Sequence, residues 1–193
     1  VLLVAGDPVA IYAPHLFVEA FQTTEDYSSR PYYASFVRLV RFMAFTLRII
    51  IPALFIAAID FHKEMIPSEL IVSLAQARER VPFPLLLEVL LMIIMFEVVR
   101  EAGVRMPRAI GQAVSIVGAL ILGQVSVQAG MVGAPTIIAV SIAVITTFII
   151  NPIADVVALL RILLLIPSSM FGIYGLLISM LGILTHMVSL TSW

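Results

Sequence analysis

The chain has 193 residues, 62% of them hydrophobic and 12% charged, with a net charge of −1. A soluble domain averages about 25% charged residues, so this low share, with a mean hydropathy of +1.14, makes lipid the expected solvent for most of the chain. There is no basic surplus to suggest nucleic acid, and the absence of cysteine excludes disulfides, thiolate metal sites and cysteine nucleophiles.

The chain starts at Val1 without the basic segment and cleavage site of a signal peptide, and reads as a piece of a longer polypeptide. Two short apolar runs in VLLVAGDPVAIYA flank Gly6-Asp7-Pro8, turn chemistry that predicts a short β-hairpin-like segment. After an amphipathic piece comes a polar junction, QTTEDYSSR, in which Glu25 and Asp26 read as solvated carboxylates, with helix capping or a basic neighbour as the alternatives. Tyr32 and Tyr33 suit a headgroup layer. Residues 1–35 are therefore taken as a junction and 36–193 as a helical transmembrane domain.

Phe36–Ile59 is long enough to cross a bilayer with tilt, at about 36 Å of helix. Arg38 and Arg41 in its first turns can snorkel to the interface. Arg48 lies midway, where a bare charge costs at least ~2.5 kcal/mol. Pro52 cannot donate to the Arg48 carbonyl. The polar interval Asp60–Pro84 holds a short helix opened by Pro67-Ser68-Glu69 and suited to an interface. Leu85–Val99 follows, about 22 Å long. It carries Glu88 and Glu97 on opposite faces, which calls for burial in a bundle or a partial span. Arg48 and Glu88 are expected to form an intramembrane ion pair, and Glu97 to pair locally with Arg100.

A basic turn, Arg100–Arg108, leads into Ile110–Gln128. Here Gly111, Gln112, Ser115, Gly118, Ala119, Leu122, Gly123 and Ser126 share an arc of about 140° on a helix, and the rest is mostly Val, Ile and Leu. Thr136–Ile150 is the next apolar run, ended by Asn151-Pro152. Val156–Leu190 would extend about 52 Å as one helix, and Pro167-Ser168-Ser169 with Gly172 predicts a break or a helix hairpin within it. The fold class is all-α and polytopic, with about four to six transmembrane or partly inserted helices. Arginine clusters before the first span, after the second and near Arg161 predict a cytoplasmic N-terminus.

No phosphate loop or nucleophile elbow is present, and His15, His62 and His186 are far apart in sequence. The expectation is therefore no enzyme, no catalytic residue, no cofactor and no metal site. The small-residue arc has two readings. As a pore lining, Gln112, Ser115 and Ser126 face hydrated ions, Gly118, Ala119 and Gly123 keep the lumen wide, and Leu122 closes it by dewetting. As a packing seam, the same residues let helices approach closely, and the protein is a scaffold or half of a transporter.

The runs EDYSSRPYYASF, RAIGQAVSIVGALILGQ and FGIYGLLISMLGILTHMVSL resemble the A subunit family of GerA-type spore germinant receptors of endospore-forming bacteria. The likeness extends over essentially the whole chain, departing at Ala5, where an acidic residue is expected, and at Asn151-Pro152. The resemblance implies the membrane domain of a subunit whose soluble N-terminal domain lies outside this sequence. It implies residence in the spore inner membrane as a multi-pass protein, among membrane lipids, with a nutrient-binding B subunit and a lipoprotein C subunit as partners. It further implies a homo-oligomer that conducts inorganic cations early in germination. Relatives tied to dipicolinic-acid release share the domain, so a non-conducting scaffold or a transporter-like part of that machinery is the alternative.

Overall fold

A computed structural model of the chain describes residues 2–3, 10–11, 17–23, 25–28, 30–146 and 154–189. Its main elements are α1 (Glu25–Ser28), α2 (Pro31–Asp60), α3 (Ser68–Arg78), α4 (Leu85–Val104), α5 (Arg108–Gln128), α6 (Ala134–Ile145) and α7 (Ala154–Ser189). The hairpin expected at the N-terminus is not supported as an element. Leu2 pairs with Ile11 and Leu3 with Ala10 in antiparallel register, far less than an independently stable sheet requires. The Gly6-Asp7-Pro8 turn lies outside the described residues.

Proline sets where the helices begin. Pro31 opens α2, where a missing N–H is no loss because the first turn has no intrahelical acceptor. Pro67, Pro84 and Pro107 immediately precede α3, α4 and α5. Each has a fixed φ and extended ψ that turn the chain into its helix.

The centre of the bundle is formed by α2, α4, α6 and α7. Ala53 and Ile56 of α2 are fully buried in one cluster with Val89 and Met92 of α4, Val140 of α6 and Leu164 and Leu165 of α7. The periphery is apolar as well: Leu39, Phe42, Leu54, Leu87, Val98, Ile121, Leu159 and Ile178 are all exposed. A protein in water does not present so large an apolar surface. In lipid it is the ordinary outer surface, and cohesion comes from close packing and polar contacts rather than from the hydrophobic effect.

Among the described residues, α2 and the stretch Val156–Ser189 are long and apolar enough to cross a membrane, while Ala113–Gln128 and Ala134–Ile145 are shorter apolar helices. The membrane assignment rests on the first two. Gly130, after α5, lies against the Arg80 backbone, and Gly133 lies against Arg78, so the α5–α6 loop shares one end with α3.

The break expected in the last apolar block is present, at Gly172. Its φ of 62° and ψ of −138° are non-helical and belong to a region that only glycine enters freely. A Cβ there would lie 2.9 Å from Phe61 Cβ and 3.0 Å from His62 Cε1, so the break is seated on the C-terminal end of α2. Beyond it the chain turns back, because a Cβ on Gly175 would overlap the Pro167 carbonyl, which a continuous helix would hold about 12 Å away. Ser168 Oγ donates to the buried Ala53 carbonyl at 2.6 Å, fixing the break to α2 one residue past Pro52. Two arms of about 25 Å each thus replace one overlong helix.

Gly172→Ala is expected to destabilise the domain by about 1–3 kcal/mol, read as a lower unfolding midpoint in a detergent titration. An unchanged midpoint would contradict the seating of the break on Phe61 and His62.

Candidate functional site

Polar groups inside an apolar bundle must find partners within it, and three polar centres can be traced from the residues outward. The first is at the junction. Arg41, one turn after Arg38 on α2, reaches back to the residues before the helix. Its Nη1 donates to Asp26 Oδ2 at 2.7 Å and to the Phe21 carbonyl at 3.0 Å, and its Nη2 donates to Thr23 Oγ1 at 3.0 Å. The Thr23 hydroxyl in turn donates to Asp26 Oδ1 at 3.2 Å. Arg38 Nε donates to Asp26 at 3.3 Å, and its guanidinium lies 5.5 Å from the centre of the Tyr27 ring. Phe17, Phe21 and Phe45 pack edge to face beneath this knot.

Of the readings open to Asp26, the solvated one is corrected and the one that faces a basic neighbour holds. Asp26 is buried, and the arginines are tied to it. The Arg41 hydrogen bond, acting against burial and aided by the Thr23 amide and Arg38, holds the Asp26 carboxyl well below the usual carboxylate range.

The second centre surrounds Glu88. This carboxylate sits in the first turn of α4, where the helix dipole favours a negative charge. It is 1% exposed. It accepts from Thr136 Oγ1 of α6 and from Arg78 Nε of α3 at 3.4 Å. Arg48, expected beside Glu88, is equally buried, and the contacts described for Glu88 run to Arg78 and Thr136. Sequence spacing could not reveal Arg78, since it lies in the polar interval and reaches Glu88 only because α3 folds over the end of α6.

The third centre is a cleft of about 880 Å³ bounded by α4, α5, α6 and α7. Glu97 and Arg100 form the local ion pair expected of them and line the cleft together with Arg161 of α7. Arg161 is 2% exposed, and its Nε has no acceptor among the described residues. Its sequence signal was visible, a lone arginine inside VVALLRILLLI, but counted only toward orientation.

The α5 arc turns inward. Gly111 and Gly103 of α4 meet so closely that a Cβ on the first would overlap the carbonyl of the second, and Gly118 lies against Val99. Ser126 is buried, and its carbonyl accepts from the Met131 and Val132 amides that close the helix. Ser115, Ala119 and Gly123 line the cleft, and Leu122 is half-buried. The side chain of Gln112 lies outside the described residues. Across the helix, Val117, Ile121 and Val125 are exposed. Within one chain, then, part of the arc is a seam against α4 and part is the wall of an open cleft.

Thr136→Val removes one donor from a buried carboxylate and is expected to cost about 1–3 kcal/mol, read by the same detergent unfolding. No loss would show that Glu88 is satisfied without it. At the junction, the depressed Asp26 carboxyl contributes stability that is fully in place above the ordinary value of about 3.9 and is lost as pH falls toward its folded-state value. Limited proteolysis of the junction should therefore accelerate with acidification below about pH 4 in the unmodified protein. Asp26→Asn should make cleavage faster at neutral pH and flatten its pH dependence, whereas identical profiles would contradict the clamp.

Comparison with known proteins places this architecture. The family described as Bacillus/Clostridium GerA spore germination protein matches residues 1–193. Spore germination protein KA of Bacillus subtilis (strain 168) is 43% identical, over 100% of this chain and 36% of its own length. Spore germination protein GerLA of Bacillus cereus is 37% identical, over 99% of the chain and 39% of its own length. An uncharacterized membrane protein of Bacillus subtilis (strain 168), YfkQ, is 39% identical, over 96% of the chain and 37% of its own length. The chain thus spans about two fifths of the length of these curated relatives. No solved structure matches it. Two long apolar helices, charges buried between helices and a match over every residue lead to one assignment: the chain belongs to the GerA spore germination protein family.

Proposed function

We propose that this chain is the membrane domain of a germinant-receptor A subunit in the spore inner membrane, and that copies of it assemble around a path for inorganic cations that opens during germination. In this reading the domain crosses the bilayer several times, as four to six spanning or partly inserted helices. Residues 1–35 join it to a cytoplasmic N-terminal domain, and a nutrient-binding B subunit and a lipoprotein C subunit complete the receptor. The protein is not an enzyme and needs no cofactor.

The observation that carries the proposal is the two-sided character of α5. Ser115, Ala119 and Gly123 border an open cleft, while Val117, Ile121 and Val125 are exposed on the other side. Neighbouring copies that cover the cleft would enclose a space walled by hydroxyl groups and small side chains, with Gln112 and Ser126 toward its ends and Gly118 keeping α5 close to α4. Leu122 would be the apolar constriction. The second reading, a non-conducting scaffold or a transporter-like part of the dipicolinic-acid release machinery, draws on the Gly103–Gly111 contact, a seam of the kind that small residues make in any membrane bundle.

The full-length protein, purified and reconstituted in a planar bilayer, should conduct cations. A water-soluble thiol reagent should block the current at Ser115→Cys and Leu122→Cys but not at Val117→Cys or Ile121→Cys. Absence of current from a folded, assembled protein favours the scaffold, and equal protection at all four positions removes α5 from the path.

A further inference from the structure

We propose that the cleft between α4, α5, α6 and α7 is a binding site for one anionic phospholipid, with the phosphate on Arg161 and an acyl chain along α5 and α6. Arg161 is nearly fully buried, lines the cleft and leaves an Nε–H without an acceptor among the described residues. A buried guanidinium donor costs free energy until an acceptor meets it. Phosphate oxygens match the planar fork of arginine better than any neutral group does.

The charge around the cleft points the same way. Arg100 pairs with Glu97, so the three ionic side chains that line the cleft carry one net positive charge, and an anion balances it. Most of the remaining wall is apolar, including Phe96, Leu120, Ile137 and Val144, with Ser115, Gln124, Gln128 and Ser141 as its uncharged polar members, which disfavours a small hydrated anion as the sole occupant of the volume. About 880 Å³ lies within the ~300–1,000 Å³ of ordinary ligand sites. From Ser115 to Gln128, both on the wall, α5 rises about 20 Å, more than half of a ~30 Å hydrocarbon core, so one acyl chain fits lengthwise.

Depth agrees with this assignment. Arg161 is seven residues into α7, or about 10 Å along its axis, near the boundary between headgroups and hydrocarbon. On the orientation given by the arginine clusters that end is cytoplasmic, the side on which basic pockets between helices receive anionic headgroups. The inference rests on the membrane assignment and not on conductance. In a conducting assembly the same lipid would keep the Ser115–Ala119–Gly123 wall dry until it was displaced.

The test uses the full-length protein, delipidated in mild detergent, exposed to mixed micelles of equal phosphatidylglycerol and phosphatidylcholine, and examined by native mass spectrometry. One phosphatidylglycerol should be retained per protomer in preference to phosphatidylcholine, and Arg161→Gln should weaken its retention about tenfold. Arg161→Lys should fall between the two. Ala119→Trp, which fills the open cleft without touching the charge, should also lose the lipid, and circular dichroism of each variant confirms that it is folded. Three results would overturn the proposal: equal retention of both lipids regardless of Arg161, displacement of the lipid by inorganic phosphate alone, or a lipid-free assembly with a second copy of the chain in the cleft. Bilayer currents report separately on conduction, so failure of one reading leaves the other measurable.

Discussion

Ionic side chains buried among apolar helices are the constraint on which the rest of this structure depends. A charge inside a bilayer is tolerated only where protein or water surrounds it, and Arg48, Glu88 and Arg161 are each buried to within 2% exposure. The helices are arranged to meet that demand. Covering Glu88 requires α3 to fold over the end of the bundle so that Arg78 reaches it, and α6 to begin at the level that brings Thr136 alongside. The reversal of α7 at Gly172, held by the Ser168 bond to Ala53, keeps both of its arms near α2.

The junction follows the same physics on a smaller scale. A carboxylate withdrawn from water needs several donors at once, and Asp26 receives them from Thr23, Arg38 and Arg41. The consequence is mechanical. The segment before α2 is tied to the first turns of a spanning helix by charge-assisted bonds, strengthened by packing of Phe17 and Phe21 on Phe45. A displacement arriving from the N-terminal side would reach α2 through that knot rather than dissipate in a linker.

What was legible in the sequence had a local cause. The starts of α3 and α4 follow from proline, the break in α7 from a glycine in a block too long for one crossing, and the Glu97–Arg100 pair from helical spacing, whereas α2 begins at Pro31, inside the stretch taken as a junction. Misreadings came where partners are distant in sequence. Glu88 pairs on paper with Arg48 because both lie in apolar runs, but the apolar runs do not announce Arg78, which reaches Glu88 from a polar interval 10 residues before it in the chain. Asp26 looked solvated because nothing in QTTEDYSSR records that α2 will return two arginines to it. The hairpin rests on two short apolar runs around a turn, and two residue pairs are too few to make it an element. The small-residue arc lies on a single helix, α5. Periodicity could not say whether it meets a helix or a cavity, and along its length it meets both.

The decisive measurement is an electron cryo-microscopy image of the full-length protein in lipid nanodiscs, because it establishes at once whether copies form a ring and which helix lies nearest the axis. A closed ring with α5 of every copy innermost, its Ser115–Gly123 flank toward water, is the expected result. A monomer, or a ring with α5 on the lipid-facing perimeter, would contradict it.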